Sequence, residues 1–201
     1  MPRIVNKAAL VLIFCYASCM LYTALQMFVP FRLPTIDDRI IGPVIKLLFP
    51  VGCILFALTV HKRFENTSKK AIISAVICAG IAFALILYGC ITIANAFYDF
   101  FESAQSGNLL GITTGFYVTR KATAIIDLGA LLSAASIFIS SWSVKKTKLL
   151  ILVAATFLFL RNFFVEAISL GQIGIFLGAF FAIAFHICLA VFAAKLMLKE
   201  S

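Results

Sequence analysis

The sequence predicts an all-α integral membrane protein, a single polytopic domain over residues 1–201 with six transmembrane helices and no soluble domain. Three observations predict it. Hydrophobic residues make up 63% of the chain and charged residues only 12%, against roughly 45–50% and about 25% in soluble domains. Six apolar stretches reach the roughly 20 residues that span a hydrocarbon core about 30 Å thick, at 8–30, 40–60, 71–98, 122–144, 149–170 and 173–196. Basic residues, finally, alternate between loops: Arg3, Lys7, Lys62, Arg63, Lys69, Lys70, Lys145, Lys146, Lys148, Lys195 and Lys199 fall on one side, and only Arg32, Arg39, Arg120 and Lys121 on the other. The excess marks the cytosolic side and puts both termini there. The formal charge of +9 is then a topology signal, and no nucleic-acid partner is implied.

Each stretch is expected to be helical because a helix satisfies its own backbone hydrogen bonds in lipid. The first follows Arg3 and Lys7 and is too long for a cleaved signal core, so it reads as an uncleaved anchor. Ser18, Tyr22 and Gln26, four apart, form its polar face. The second contains Pro43 and Pro50 around Lys46; glycine and proline are common in membrane helices generally, which weighs against reading it as a broken helix that lines a transport site. The third, from Ala71 to Tyr98, would run about 42 Å and must tilt or project outward. It carries Tyr88, Thr92, Asn95, Asp99 and Glu102 at spacings of four and three, one continuous face.

From Asp99 to Lys121 the sequence reads as an outer loop, with aromatics suited to the headgroup interface at both ends. The fourth stretch bears Asp127 and a small-residue face of Gly129, Ser133, Ser136 and Ser140. In the fifth, Arg161, Asn162, Glu166 and Ser169 interrupt the apolar run FLFLRNFFVEAISLG. The sixth repeats Gly174, Gly178, Ala182, His186 and Ala190 every four residues, a stripe that lets another helix approach closely. His186 is expected to donate a hydrogen bond between helices, and His61 to lie in a loop.

Counting residues from the membrane surface puts Arg161 about 18 Å above the cytosolic face and Asp127 about 8 Å below the outer one. In a core about 30 Å thick an arginine can bridge the difference. Ionised groups at a helix centre cost roughly 2.5–3.5 kcal/mol each on insertion scales, so Lys46, Asp127, Arg161 and Glu166 must pair or line a wet cavity. The site expected here is a polar cavity in the extracytosolic half, formed by Lys46, Tyr88, Thr92, Asn95, Asp127, Arg161, Asn162 and Glu166. It suits a small transporter or lipid-handling protein for an amphiphile.

Two alternatives belong to other classes. One is an accessory or scaffolding subunit, homodimeric or in a larger membrane complex, whose charges are structural bridges. The other is a membrane enzyme using Asp127 or Glu166 as acid or base. Balanced charges argue against an ion pore, which favours rings of one sign. The six cysteines, all in apolar stretches and without a C-x-x-C pair, read as small buried hydrophobes. No motif for a cofactor or metal occurs. An endomembrane such as the endoplasmic reticulum is expected over the plasma membrane, and the sequon at Asn66 should lie on the cytosolic side, unmodified. Arg161, Glu166 and Gly171 resemble a motif of fungal lipid-translocating exporters; the likeness spans residues 161–171, that family has a further crossing and a different spacing, and no role is carried over.

Overall fold

In a computed structural model, residues 2–25, 41–63, 68–140, 145–163 and 172–200 are described, with no strand among them. Six helices follow one another: α1 Pro2–Leu25, α2 Ile41–Arg63, α3 Lys69–Gln105, α4 Leu109–Ser140, α5 Lys145–Asn162 and α6 Gln172–Glu200. Among the described residues four helical runs are long and apolar enough to cross a membrane: Lys7–Leu25, Lys69–Gln105, Leu109–Ser140 and Phe176–Leu198. Helices α2 and α5 contribute shorter apolar runs, Val44–Thr59 and Leu149–Arg161. Large apolar side chains remain on the outside, among them Val11, Ile73, Ile77, Ile81, Leu152 and Phe180. Water does not ordinarily meet so much contiguous apolar surface, whereas lipid does.

Helices α1, α2, α4, α5 and α6 pack in a closed ring, and α3 lies outside it against α2 and α4. Aromatic rings fill the middle. Tyr16 of α1 stacks on Phe49 of α2 with centroids 4.6 Å apart, and Phe49 meets Phe185 of α6 edge-on at 6.4 Å. Seven residues further along both helices, Phe56 meets Phe192 at 5.9 Å. Equal steps along both chains mean that α2 and α6 run in the same sense. Helix α1 runs against α2, since Ile13 lies beside Gly52 and Tyr16 beside Phe49.

The structure corrects the sequence expectation for residues 99–121. The expected outer loop is helical: α3 continues to Gln105 and α4 starts at Leu109, so the two form a long antiparallel hairpin. The local reason is a tight helix end. Gly107 takes the left-handed conformation (φ +67°); the Asn108 N–H donates to the Ser103 carbonyl at 2.9 Å and the Gly107 N–H to the Ala104 carbonyl at 3.4 Å, which is a Schellman stop. Asn108 then caps the next helix, accepting the Gly111 N–H on Oδ1 at 3.2 Å. Capping chemistry overrode the Gly and Ser content that reads as a loop. At 37 and 32 residues, α3 and α4 run about 55 and 48 Å, well beyond a hydrocarbon core.

Small residues bring the hairpin together. A Cβ on Gly89 would sit 2.5 Å from Ile126 Cγ1 and 2.9 Å from the Ala122 carbonyl oxygen, and one on Gly129 would sit 2.6 Å from Ile86 Cγ1. Close backbone approach of this kind is how helices associate where burying apolar surface gives no advantage over lipid. The small face expected on α4 is thus a contact with α3 at Gly129, with Ser133, Ser136 and Ser140 buried beyond it. Helix α2 is continuous through Pro50, which is fully buried, and includes residue 61, so His61 belongs to the end of a helix rather than to a loop.

These contacts predict a graded glycine series, read as thermal stability in detergent. Gly89→Ala should destabilise by about 1–3 kcal/mol, because backbone as well as side chain must give way. Gly80→Ala on the same helix meets nothing within 4 Å and should be neutral or slightly stabilising. Gly107→Ala should cost about 1 kcal/mol through its left-handed φ.

Candidate functional site

Charge in an apolar bundle must be neutralised or solvated, and α4 and α5 do the first. Arg161 Nη1 forms an ion pair with Asp127 Oδ2, the side chains retaining 23% and 12% of their accessibility. The depth reasoning from sequence anticipated this pairing. Proximity across the ring accounts for it, since α4 and α5 are neighbours and the last turn of α5 places Arg161 at its end.

Two further polar side chains lie near the pair. Tyr16, 5% exposed in the middle of α1, is within electrostatic range of both Asp127 and Arg161. His186 of α6 is within range of Arg161, and its ring centroid is 5.7 Å from that of Tyr16 and 4.9 Å from that of Phe185. Contrary to the sequence expectation, His186 does not bond between helices through Nδ1. That atom lies 2.6 Å from the Ala182 carbonyl oxygen of its own helix. A carbonyl only accepts, so Nδ1 carries the proton and Nε2 presents a lone pair. Nε2 is buried and has no hydrogen-bond partner among the described residues.

The remaining expected site residues are dispersed. Lys46 is half-buried on the seam between α2 and α3, within electrostatic range of Cys90. Tyr88 is 59% exposed and Asn95 is also exposed, while Thr92 is half-buried and donates its hydroxyl to the Tyr88 carbonyl at 2.8 Å. The polar face of α3 therefore turns away from the ring instead of lining a shared cavity with Asp127 and Arg161. The reason is geometric: the buried stripe of α3 runs through Ala82, Ile86, Gly89 and Ala96, and helical spacing leaves Tyr88 and Asn95 off that stripe. Asn162 follows Arg161 in the α5 backbone; its side chain, like Glu166, Ser169 and Gln26, lies outside the described residues.

Sequence reasoning missed Tyr16. The available signal was its depth: tyrosines favour the two interfaces, yet Tyr16 follows Lys7 by nine residues, about 14 Å along the helix. All six cysteines are free. Among the described residues no group of three or more His, Cys, Asp or Glu side chains is arranged to hold a metal ion. Comparison with protein-family models, with curated proteins and with solved structures returned no match.

Reversing the pair tests its energetics. Asp127→Arg and Arg161→Asp should each destabilise by on the order of 3 kcal/mol, because each strands a partly buried charge beside a like one. The double swap should recover most of that loss in thermal unfolding of the purified protein. Additive losses in the double mutant would show that the two side chains act independently.

Proposed function

We propose that this chain is a six-crossing membrane protein with both termini cytosolic, located in an endomembrane such as the endoplasmic reticulum, which binds and moves a small amphiphile through the polar centre of its helical ring. The observation that carries this reading is that four helices supply two polar pairs, Asp127–Arg161 and Tyr16–His186, within electrostatic range of each other. Tyr16, Asp127, Arg161 and His186 come from α1, α4, α5 and α6, surrounded by Phe49 and Phe185. Intramembrane ionisable groups of this kind mark substrate or ion routes by default. The helix senses support the topology, since α1 opposes α2 and α2 parallels α6, as an even number of alternating crossings requires.

One observation favours a second reading, a non-catalytic subunit of a membrane complex. Asp127 and Arg161 contact each other directly, which is what a structural staple needs. The double swap separates the two readings in cells. If it restores folding but leaves the phenotype of a deletion strain, the pair meets a ligand; if it restores both, the staple reading replaces transport.

Topology has its own test. Leu110 is 79% exposed at the hairpin tip, and Leu110→Thr completes a glycosylation sequon at Asn108. In microsomes Asn108 should then be glycosylated while Asn66 stays unmodified, and the reverse pattern would invert the proposed orientation.

A further inference from the structure

A buried acceptor without a donor is costly, because it has given up water and gained nothing in return. His186 Nε2 is such an atom: the residue is 6% exposed, Nδ1–H is committed to Ala182, and Nε2 has no partner among the described residues. We propose that His186 Nε2 is the recognition point for a neutral hydroxyl group on an apolar molecule, such as a long-chain alcohol, a sterol or a diacylglycerol. This inference rests on the amphiphile reading and names the substrate class of the same site.

The chemistry of the surroundings selects the hydroxyl. A ligand group at Nε2 must donate, which excludes an ionised carboxylate or a phosphate diester. It must also be uncharged, because an ammonium at this depth would lose its water while the Asp127 carboxylate is already committed to Arg161. A hydroxyl meets both conditions, because it is neutral and donates to Nε2. The charge that would attract an ionic ligand is already cancelled within the Asp127–Arg161 pair. The surroundings favour an apolar body: the Tyr16 and Phe185 rings lie 5.7 and 4.9 Å from the imidazole, and Phe49 packs on both of them. Among the described residues, Tyr16 in ring contact and Arg161, itself paired with Asp127, within electrostatic range are the titratable or charged groups that bear on His186. A hydroxyl held at this depth is occluded from both surfaces, as a transport intermediate must be.

The test uses the purified full chain and four probes of equal chain length: 1-hexadecanol, hexadecyl methyl ether, hexadecanoate and hexadecylamine. At about a hundred times its Kd, the alcohol should raise the melting temperature by roughly 5–10 °C. The ether, which accepts but cannot donate, should not. His186→Phe should abolish the alcohol effect. In case that variant fails to fold, a second readout needs no change at the site: with His61→Gln leaving one histidine, the Nε2 signal in 15N-histidine NMR should move with the alcohol and not with the ether. An equal response to alcohol and ether, or an alcohol response that survives in His186→Phe, would overturn the proposal. So would stabilisation by hexadecanoate or hexadecylamine alone, although that outcome leaves the wider amphiphile reading standing. If no probe binds, the hydroxyl proposal fails and an internal water is left as the partner of Nε2; the transport reading is still decided separately by the double swap.

Discussion

Asp127 and Arg161 hold each other within a ring of helices whose described core is otherwise nearly all hydrocarbon and aromatic carbon. In such surroundings neither charge is tolerable alone. The pair therefore fixes the rotation of α4 and α5 about their axes, and the neighbours follow: α5 carries α6, and α6 brings Phe185 and His186 to Tyr16 and Phe49 of the opposite helices. A buried pair of this kind is weak evidence for net stability but a strong constraint on register, because any other alignment strands a charge.

Outside that centre the fold is held by shape. Lipid offers apolar side chains as good an environment as a neighbouring helix does, so association depends on close packing. Among the described glycines, Gly52 against α1 and Gly89 and Gly129 across the hairpin mark close backbone approaches. The serines of α4 stay inside at little cost by bonding to their own helix, Ser133 to the Gly129 carbonyl at 3.0 Å and Ser140 to the Ser136 carbonyl at 2.8 Å. Ser136 and His186 Nε2 are the exceptions among the described residues. His186 is within electrostatic range of Arg161, whereas Ser136 is nine residues from Asp127 along α4, about 14 Å, which is why only the former carries a ligand argument.

The all-helical class, the approximate positions of the helices and the Asp127–Arg161 contact were legible in the sequence. Each follows from a local or one-dimensional quantity: apolar run length, the lipid's refusal of unpaired backbone, and residue counts that convert to depth. The same one-dimensional reasoning failed where a feature depends on rotation about the helix axis or on a cap. It grouped Tyr88, Thr92 and Asn95 with the charges because they lie at a similar depth, yet the α3 stripe facing α4 turns Tyr88 and Asn95 outward. It took Ser106, Gly107 and Asn108 for part of a long loop, when those three residues are the whole turn.

The sequence by itself determined that this chain is helical, apolar and sparing with charge, because those properties reside in each residue and its spacing. Only the tertiary structure decided which polar groups meet. Tyr16 and His186 are some 170 residues apart, and nothing local relates them; the closed ring does, by packing α6 against α1. The empty lone pair on His186 is a property of that packing alone, since one ring nitrogen is satisfied within its own helix and the other is left facing whatever the assembled bundle provides.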